Sequence, residues 1–422
     1  PQTLTPVSPA TAGLSQQTLR TLVQRAFGAC DMSDTLSEPV RAEYRLAGFA
    51  ESVHFLHAPP PSVDCAALER REHPAWTRMK FDELLAQQLS MRASHDRRGK
   101  RAAPALPARG HLAKQLLDAL PFELTAAQHR VLADIRSDLT RAHPMQRLLQ
   151  GDVGSGKTVV AAAAALQAIE NDWQVAGMAP TEILAEQHFL KFDAWLRPLG
   201  IDVVWISGGQ KKRERDAAKA RLLSGEAMVA VGTHALIQDA VEFKRLGLAV
   251  VDEQHRFGVR ERLALTQKST EGREPHRLMM SATPIPRTLA MSFYADLDVS
   301  VIDMLPPGRM PINTKLVAAN RRDEVIARVR DACLAGGQAY WVCPLIEESE
   351  TLQLQTALAT EEAIRQTFPE LRVGLVHGRL PSADKAEVMS AFKAGAIQLL
   401  VATTVIEVGV DVPNATLMVI EN

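Results

Sequence analysis

Gly151-Asp152-Val153-Gly154-Ser155-Gly156-Lys157-Thr158 is a complete G-x-x-x-x-G-K-T run. The apolar pair Leu148-Leu149 precedes it. Val159-Val160-Ala161-Ala162-Ala163-Ala164-Ala165-Leu166 follows, an alanine-rich segment that predicts a helix. Between a strand and a helix, the glycines let backbone N–H groups turn inward around phosphate oxygens. The Lys157 ammonium can reach the outer phosphates, and the Thr158 hydroxyl, at a helix N-terminus, can ligate Mg²⁺. An ordinary glycine turn is the competing reading, and it does not account for the flanking strand and helix. The run predicts a nucleoside-triphosphate site in an α/β fold.

A chain of 422 residues exceeds what one hydrophobic core supports, so two or three domains are expected. With 46% hydrophobic and 23% charged residues, no run of membrane-span length and no basic-then-apolar leader, it reads as soluble and cytosolic. Cys30, Cys65, Cys333 and Cys343 form no C-x-x-C pair, which argues against zinc and against a disulfide framework; mostly buried, reduced thiols are expected. A net charge of -1 leaves any nucleic-acid case to local clusters and motifs. The chain opens on Pro1 and closes on a strand-like Ala415 to Glu421 with no helix after it, so a fragment is expected.

The residues up to about Ser15, rich in Pro, Thr and Ser, predict an extended lead-in. Leu19, Leu22, Val23 and Phe27 share a helical face closed by Gly28. Pro59-Pro60-Pro61 breaks the pattern, and Phe81, Leu84, Leu85 and Leu89 resume it. Residues 1–118 therefore read as a mainly helical module without nameable chemistry. Between Arg92 and Lys114 seven basic residues face one acid, Asp96, which predicts a solvated, flexible linker compatible with phosphate contact. In Leu120-Pro121-Phe122-Glu123-Leu124-Thr125-Ala126-Ala127-Gln128, Thr125 and Gln128 form a capping box. Phe122 and Gln128 also stand just upstream of the phosphate loop, where a glutamine amide can pair with the donor–acceptor edge of adenine. ATP is the expected nucleotide.

Apolar strands then alternate with helices: Trp173 to Met178, Val203 to Ile206, Ala227 to Val231 and Leu246 to Val251 as strands, Ala185 to Leu196 as a helix. Such alternation predicts a parallel sheet covered on both faces, with function at the carboxyl ends of its strands. One strand ends in Asp252-Glu253-Gln254-His255. Asp252 is placed to hold the Mg²⁺ that Thr158 touches, and Glu253 to orient and deprotonate the attacking water. Two acids on a surface turn are the plainer alternative, and the buried strand before them disfavours it.

With these motifs in order, the chain resembles the superfamily-two helicases and translocases, whose motor has two similar RecA-like domains with ATP in the cleft and nucleic acid across the top. The resemblance implies an α/β fold of two tandem RecA-like parallel-sheet domains, 119–305 and 306–422, the second incomplete, behind the helical module. Pro306-Pro307-Gly308 and Pro311 would mark the linker. It further implies that Pro180, Thr181, Thr233 and His234 hold the backbone of the tracked strand. His255, Ser281 and Thr283 would couple hydrolysis to movement. In the second domain, His377, Thr403 and Thr404 would contact nucleic acid, and Gly409 and Asp411 nucleotide. Local alternatives stand beside these: helix caps for Thr181 and Ser281, a core or surface histidine for His377, and a solvated helix face rather than a phosphate contact for Lys211-Lys212-Arg213-Glu214-Arg215.

Four segments narrow the resemblance: D-E-Q-H-R-F-G-V from Asp252, S-A-T-P-I-P-R-T from Ser281, Y-W-V-C-P-L-I-E-E-S-E from Tyr340, and Val401 to Asn414. They are similar to the branch of the superfamily that reverses stalled forks and migrates Holliday junctions. The transcription-repair coupling branch shares the first two segments but not the third. What this implies is a bacterial, cytoplasmic, nucleoid-associated monomer that uses ATP and Mg²⁺ and grips branched DNA by its backbone without sequence specificity, with single-strand-binding protein as a further partner. A non-motor ATP switch is the remaining alternative. The family's junction-splitting wedge domain and its arginine-bearing sixth motif are expected to lie outside this chain, leaving a piece that binds ATP and hydrolyses it poorly.

Overall fold

The computed structural model describes residues 4, 15–238, 241–253, 268, 272–283, 297–304, 312–343, 350–378, 380–403, 412 and 414–421. The chain divides into two compact units, one ending at Arg97 and the other taking up the described residues from Arg98 onward.

The first unit is helical: α1 (Gln16–Ala29), α2 (Glu38–Glu43), α3 (Phe49–His57), α4 (Cys65–Glu69) and most of α5 (Pro74–Gly99). Ala75 and Pro59 are the buried apolar side chains among its described residues, while Leu22, Leu84 and Leu89 of the expected apolar stripes stay exposed. A polar knot replaces an apolar centre. Arg78, wholly buried, donates through its two terminal nitrogens to both carboxylate oxygens of Asp34 at 2.7 and 2.8 Å, and to the Ala47 carbonyl at 2.8 Å. Its Nε donates to Asp82 at 2.9 Å. The Arg78 guanidinium holds the Asp34 carboxyl well below the usual carboxylate range.

In the second unit a seven-stranded sheet is built from β1 (Gln146–Gly151), β2 (Gln174–Met178), β3 (Val203–Ile206), β4 (Val229–Gly232), β5 (Leu246–Asp252), β6 (His276–Ser281) and β7 (Asp298–Ile302), in the order β3-β4-β2-β5-β6-β1-β7. All its pairings are parallel. Residues alternate between its faces: Leu149, Val175, Leu248, Val250 and Leu278 pack with α7 (Ala126–Leu139) and α8 (Lys157–Ile169) on one side. Leu148, Met178, Ala249, Val251 and Met279 pack with α10 (Lys212–Ser224) on the other. The helices α6 (His111–Ala119) and α9 (Glu182–Leu196) join α7 and α8 on the first face through Ala113, Leu116, Phe192 and Leu196.

A four-stranded parallel sheet follows, ordered β11-β8-β10-β9, from β8 (Gln338–Cys343), β9 (Val373–Val376), β10 (Leu399–Thr403) and β11 (Ala415–Ile420). Helices α11 (Arg322–Leu334) and α12 (Glu350–Thr367) cover one face around Trp341 and Val401, and α13 (Ser382–Lys393) the other around Tyr340 and Leu400. Two parallel sheets sandwiched by helices, following a helical unit in the chain, are the architecture the resemblance implied.

Two expectations are corrected. The basic stretch from Arg92 to Lys114 is no flexible linker. Arg98 is buried and pairs with Asp298 at 3.1 Å, and residues 102–109 run as an ordered strap across the sheet unit. Ala103 N–H donates to the Ala142 carbonyl, Leu106 N–H to that of Leu139, and Gln167 Nε2 to that of Leu106 at 2.7 Å. Fully buried Leu106 and backbone pairing outweigh the cost of ordering, while most of the basic side chains point to solvent. The boundary expected at residue 118 therefore lies near Arg98, because α6 contributes Ala113 and Leu116 to the sheet's core. Of the cysteines, Cys333 and Cys343 are buried, with burial pushing both thiols up, whereas Cys30 and Cys65 are exposed; all four are free.

Candidate nucleotide and nucleic-acid site

The phosphate loop connects β1 to α8 as the sequence predicts. Gly154 and Gly156 take φ of 75° and 87°, a left-handed geometry natural to glycine that turns successive N–H groups to one side. A Cβ on Gly151 would stand 2.5 Å from Ser155 Oγ and 3.2 Å from Ile302 Cβ, so a side chain there would force Ser155 to turn away. Lys157 Nζ donates to the Gly151 carbonyl at 2.6 Å and to that of Asp152 at 3.1 Å, so the ammonium lies over its own loop. Thr158 occupies the first turn of α8, partly exposed. Every residue from Val159 to Ile169 is buried, which explains the run of alanines: only small side chains let a helix sit this deep against the sheet, α6 and α7.

Gln128 makes the capping box expected of it and one bond that was not. Its Oε1 accepts from Thr125 N–H at 2.7 Å and Thr125 Oγ1 accepts from Gln128 N–H at 3.2 Å, the complete capping box of α7. Its Nε2 donates to the Ser155 carbonyl at 2.7 Å. With 3% exposure and both amide ends engaged within the protein, the side chain clamps the phosphate loop rather than displaying an edge to adenine. Phe122, half exposed, instead lines a cavity of about 410 Å³ with Lys114, Asp118, Glu123, His129 and Arg136.

Asp252 closes β5, and the register Asp252↔Met280 and Gln150↔Ser281 sets the carboxyl ends of β5, β6 and β1 side by side. Its Oδ1 accepts from Glu253 N–H at 3.0 Å, and its Oδ2 lies 2.7 Å from His188 Nε2 on α9. Glu253 takes φ of 49°, a left-handed conformation that costs a side-chain-bearing residue roughly 1–2 kcal/mol, and its Oε1 accepts from Ala282 N–H at 3.2 Å. Ser281 Oγ and Thr283 Oγ1 are 2.9 Å apart, and Gln150 Nε2 donates to the Thr283 carbonyl at 3.0 Å. The Ser281-Ala282-Thr283 segment is thus tied both to the acidic pair and to the strand that carries the phosphate loop.

Gln150 and His188 escape a sequence reading. Gln150 offers one signal, a polar residue inside a buried strand next to the loop; His188 offers none, since its partner is 64 residues away.

The residues expected to hold nucleic acid also stand at strand ends. Thr181 caps α9, accepting from Leu184 N–H at 3.4 Å, so its local role is realised; Pro180 precedes it, two residues past the end of β2. Thr233 is buried after β4 and His234 beside it is exposed. A Cβ on Gly232 would overlap the Ile206 carbonyl, so only glycine allows β3 and β4 to approach there. In the four-stranded sheet, the pairing Ala402↔Val376 sets Thr403 beside His377. The segment from Lys211 forms the N-cap and exposed first turn of α10, a solvated helix face. His255, Thr404, Gly409 and Asp411 lie outside the described residues.

Comparison with known proteins agrees with this layout. The family described as DEAD/DEAH box helicase matches residues 125–292, and the helicase conserved C-terminal domain matches residues 324–422. An ATP-dependent DNA helicase RecG from Escherichia coli (strain K12) is 52% identical over 426 residues, covering 100% of this chain and 61% of its own length. The RecG of Thermotoga maritima is 43% identical, with 99% of this chain and 53% of its own length covered. A structure of RecG bound to a three-way DNA junction superposes with a TM-score of 0.75 at 39% identity, over 99% of this chain and 54% of that one. The chain thus spans about three fifths of the length of the Escherichia coli relative.

Proposed function

Because the chain belongs to the RecG family of ATP-dependent DNA helicases, we propose that it forms the motor portion of an enzyme that hydrolyses ATP to remodel branched DNA, reversing stalled forks and migrating Holliday junctions. The observation that carries this reading is the meeting of the phosphate loop, the Asp252-Glu253 pair and the Ser281-Ala282-Thr283 segment at the adjoining carboxyl ends of β1, β5 and β6.

In this reading the loop N–H groups and Lys157 bind the β- and γ-phosphates, Phe122 lies against the adenine, and Glu253 orients and deprotonates the attacking water. Glu253 also accepts from Ala282 N–H through Oε1, which ties the base directly to the Ser281-Ala282-Thr283 segment. Thr158 and Asp252 fit Mg²⁺: both offer hard oxygen, and Mg²⁺ is held by one or two carboxylates together with phosphates and water rather than by a dedicated protein cage. Among the described residues no cluster of three or more His, Cys, Asp or Glu forms such a cage. The bound ion would neutralise charge developing between the phosphates.

Pro180, Thr181, Thr233, His234, His377 and Thr403 would grip the sugar–phosphate backbone, giving salt-sensitive, sequence-independent binding. The same reading makes the protein a monomer of the bacterial cytoplasm, associated with the nucleoid, with single-strand-binding protein as a further partner.

The test is ATP turnover by the full-length protein with a three-way junction, a linear duplex and a single strand. Strong stimulation by the junction together with its unwinding is expected. Turnover indifferent to DNA would point to a nucleotide switch and overturn the reading.

A further inference from the structure

One polar side chain at the acidic pair has no part in the chemistry above. His188 Nε2 stands 2.7 Å from Asp252 Oδ2, while Oδ1 of the same carboxylate accepts from Glu253 N–H at 3.0 Å. The His188 side chain is 13% exposed and that of Asp252 9%, so water has little access to replace either bond. A carboxylate at the end of a strand can turn about its last torsion, and one donor on each oxygen removes that freedom. It also leaves lone pairs on both oxygens for an ion and its water, since an ionised carboxylate offers about four acceptor sites. The two donors differ in origin. Glu253 N–H belongs to the same strand end, whereas His188 comes from the middle of α9, an element fixed independently through Leu184, Ala185, Phe192 and Leu196.

We propose that His188 is the positioning residue of the metal-holding Asp252, fixing its carboxylate in the orientation that receives Mg²⁺ with the nucleotide. The proposal rests on the reading of Asp252 as a Mg²⁺ ligand. Outer partners of this kind are worth 10–100-fold in metal affinity.

The experiment is a titration of Mg²⁺ into full-length protein with a fluorescent ATP analogue, reading nucleotide binding rather than turnover. The variants are His188→Ala, His188→Gln and Asp252→Ala, each checked by thermal melting. His188→Ala is expected to raise the Mg²⁺ concentration for half-maximal binding by about 10–100-fold, with metal-free nucleotide binding unchanged. His188→Gln, whose amide N–H can reach the place of Nε2, is expected to restore most of it. Should His188→Ala not fold, His188→Asn, too short to reach Asp252, carries the same comparison.

Three outcomes overturn the proposal: a His188→Ala midpoint equal to wild type while Asp252→Ala is shifted, a loss of metal-free binding as large as the loss with metal, or His188→Gln no better than His188→Ala. If Asp252→Ala itself leaves the midpoint unchanged, the metal reading of Asp252 falls, and the proposal with it.

Discussion

Gln128 Nε2 donates a 2.7 Å hydrogen bond to the Ser155 carbonyl, so the residue that starts α7 also clamps the phosphate loop. Replacing it by leucine leaves Thr125 N–H and the Ser155 carbonyl without their partner. A lost cap and a buried carbonyl deprived of its donor together cost about 2 kcal/mol or more. Nucleotide affinity should fall roughly tenfold, about 1.4 kcal/mol, although the amide need not touch nucleotide. Melting and an ATP-analogue titration check both; unchanged affinity would show that the loop holds its shape unaided.

Lys157→Ala should reduce ATP turnover by at least about 10²-fold, the scale for removing a charge-stabilising group, while junction binding, which the proposal assigns to the strand-end residues, is retained. Turnover near the wild-type rate would remove Lys157 from the reaction.

Gly156→Ala should weaken nucleotide binding severely. At φ of 87° a side chain costs roughly 1–2 kcal/mol, and the new Cβ would also collide with the Gln128 amide. Binding equal to wild type would mean that the loop can adopt another backbone geometry.

His276, fully buried, accepts from Met145 N–H through Nδ1 at 3.0 Å and donates through Nε2 to the Pro104 carbonyl at 2.7 Å, pinning the strap to the sheet. Burial lowers its pKa from 6.5 to about 4. The unfolded chain therefore binds this proton first: the contribution is complete above pH 6.5 and drains away as the pH falls toward 4. Between pH 7 and pH 5 the loss is about 2 kcal/mol. Urea midpoints at the two values should show it, and His276→Gln should flatten the difference.

Arg78→Ala should cost the helical unit about 3–5 kcal/mol, because Asp34 and Asp82 lose the charge that compensates them. A change below 1 kcal/mol by thermal or urea melting would mean that water reaches the knot.

The phosphate loop and the Asp252-Glu253 pair are legible in sequence because their chemistry lies in adjacent residues flanked by apolar strands. The strands themselves are legible because burial on both faces leaves near-continuous apolar runs. Gln128, Gln150 and His188 act on partners 27, 133 and 64 residues away, and no periodicity records such pairs. The strap misleads for another reason. Its basic residues dominate the composition, while Leu106 and a few backbone bonds decide its conformation. Arg78 is similar: it reads as one surface arginine among many until Asp34, 44 residues earlier, folds over it.

From Val159 to Ile169, α8 has no side open to solvent. On an ordinary surface helix about half the positions can change at little cost, and substitutions accumulate there first. Here each added methylene must displace the sheet or a neighbouring helix, and each added polar group needs a partner that the surroundings do not supply. The stretch after the phosphate loop is as closed to substitution as the loop itself, through volume rather than chemistry, and a variant here can disable the proposed motor without altering one atom assigned to the nucleotide.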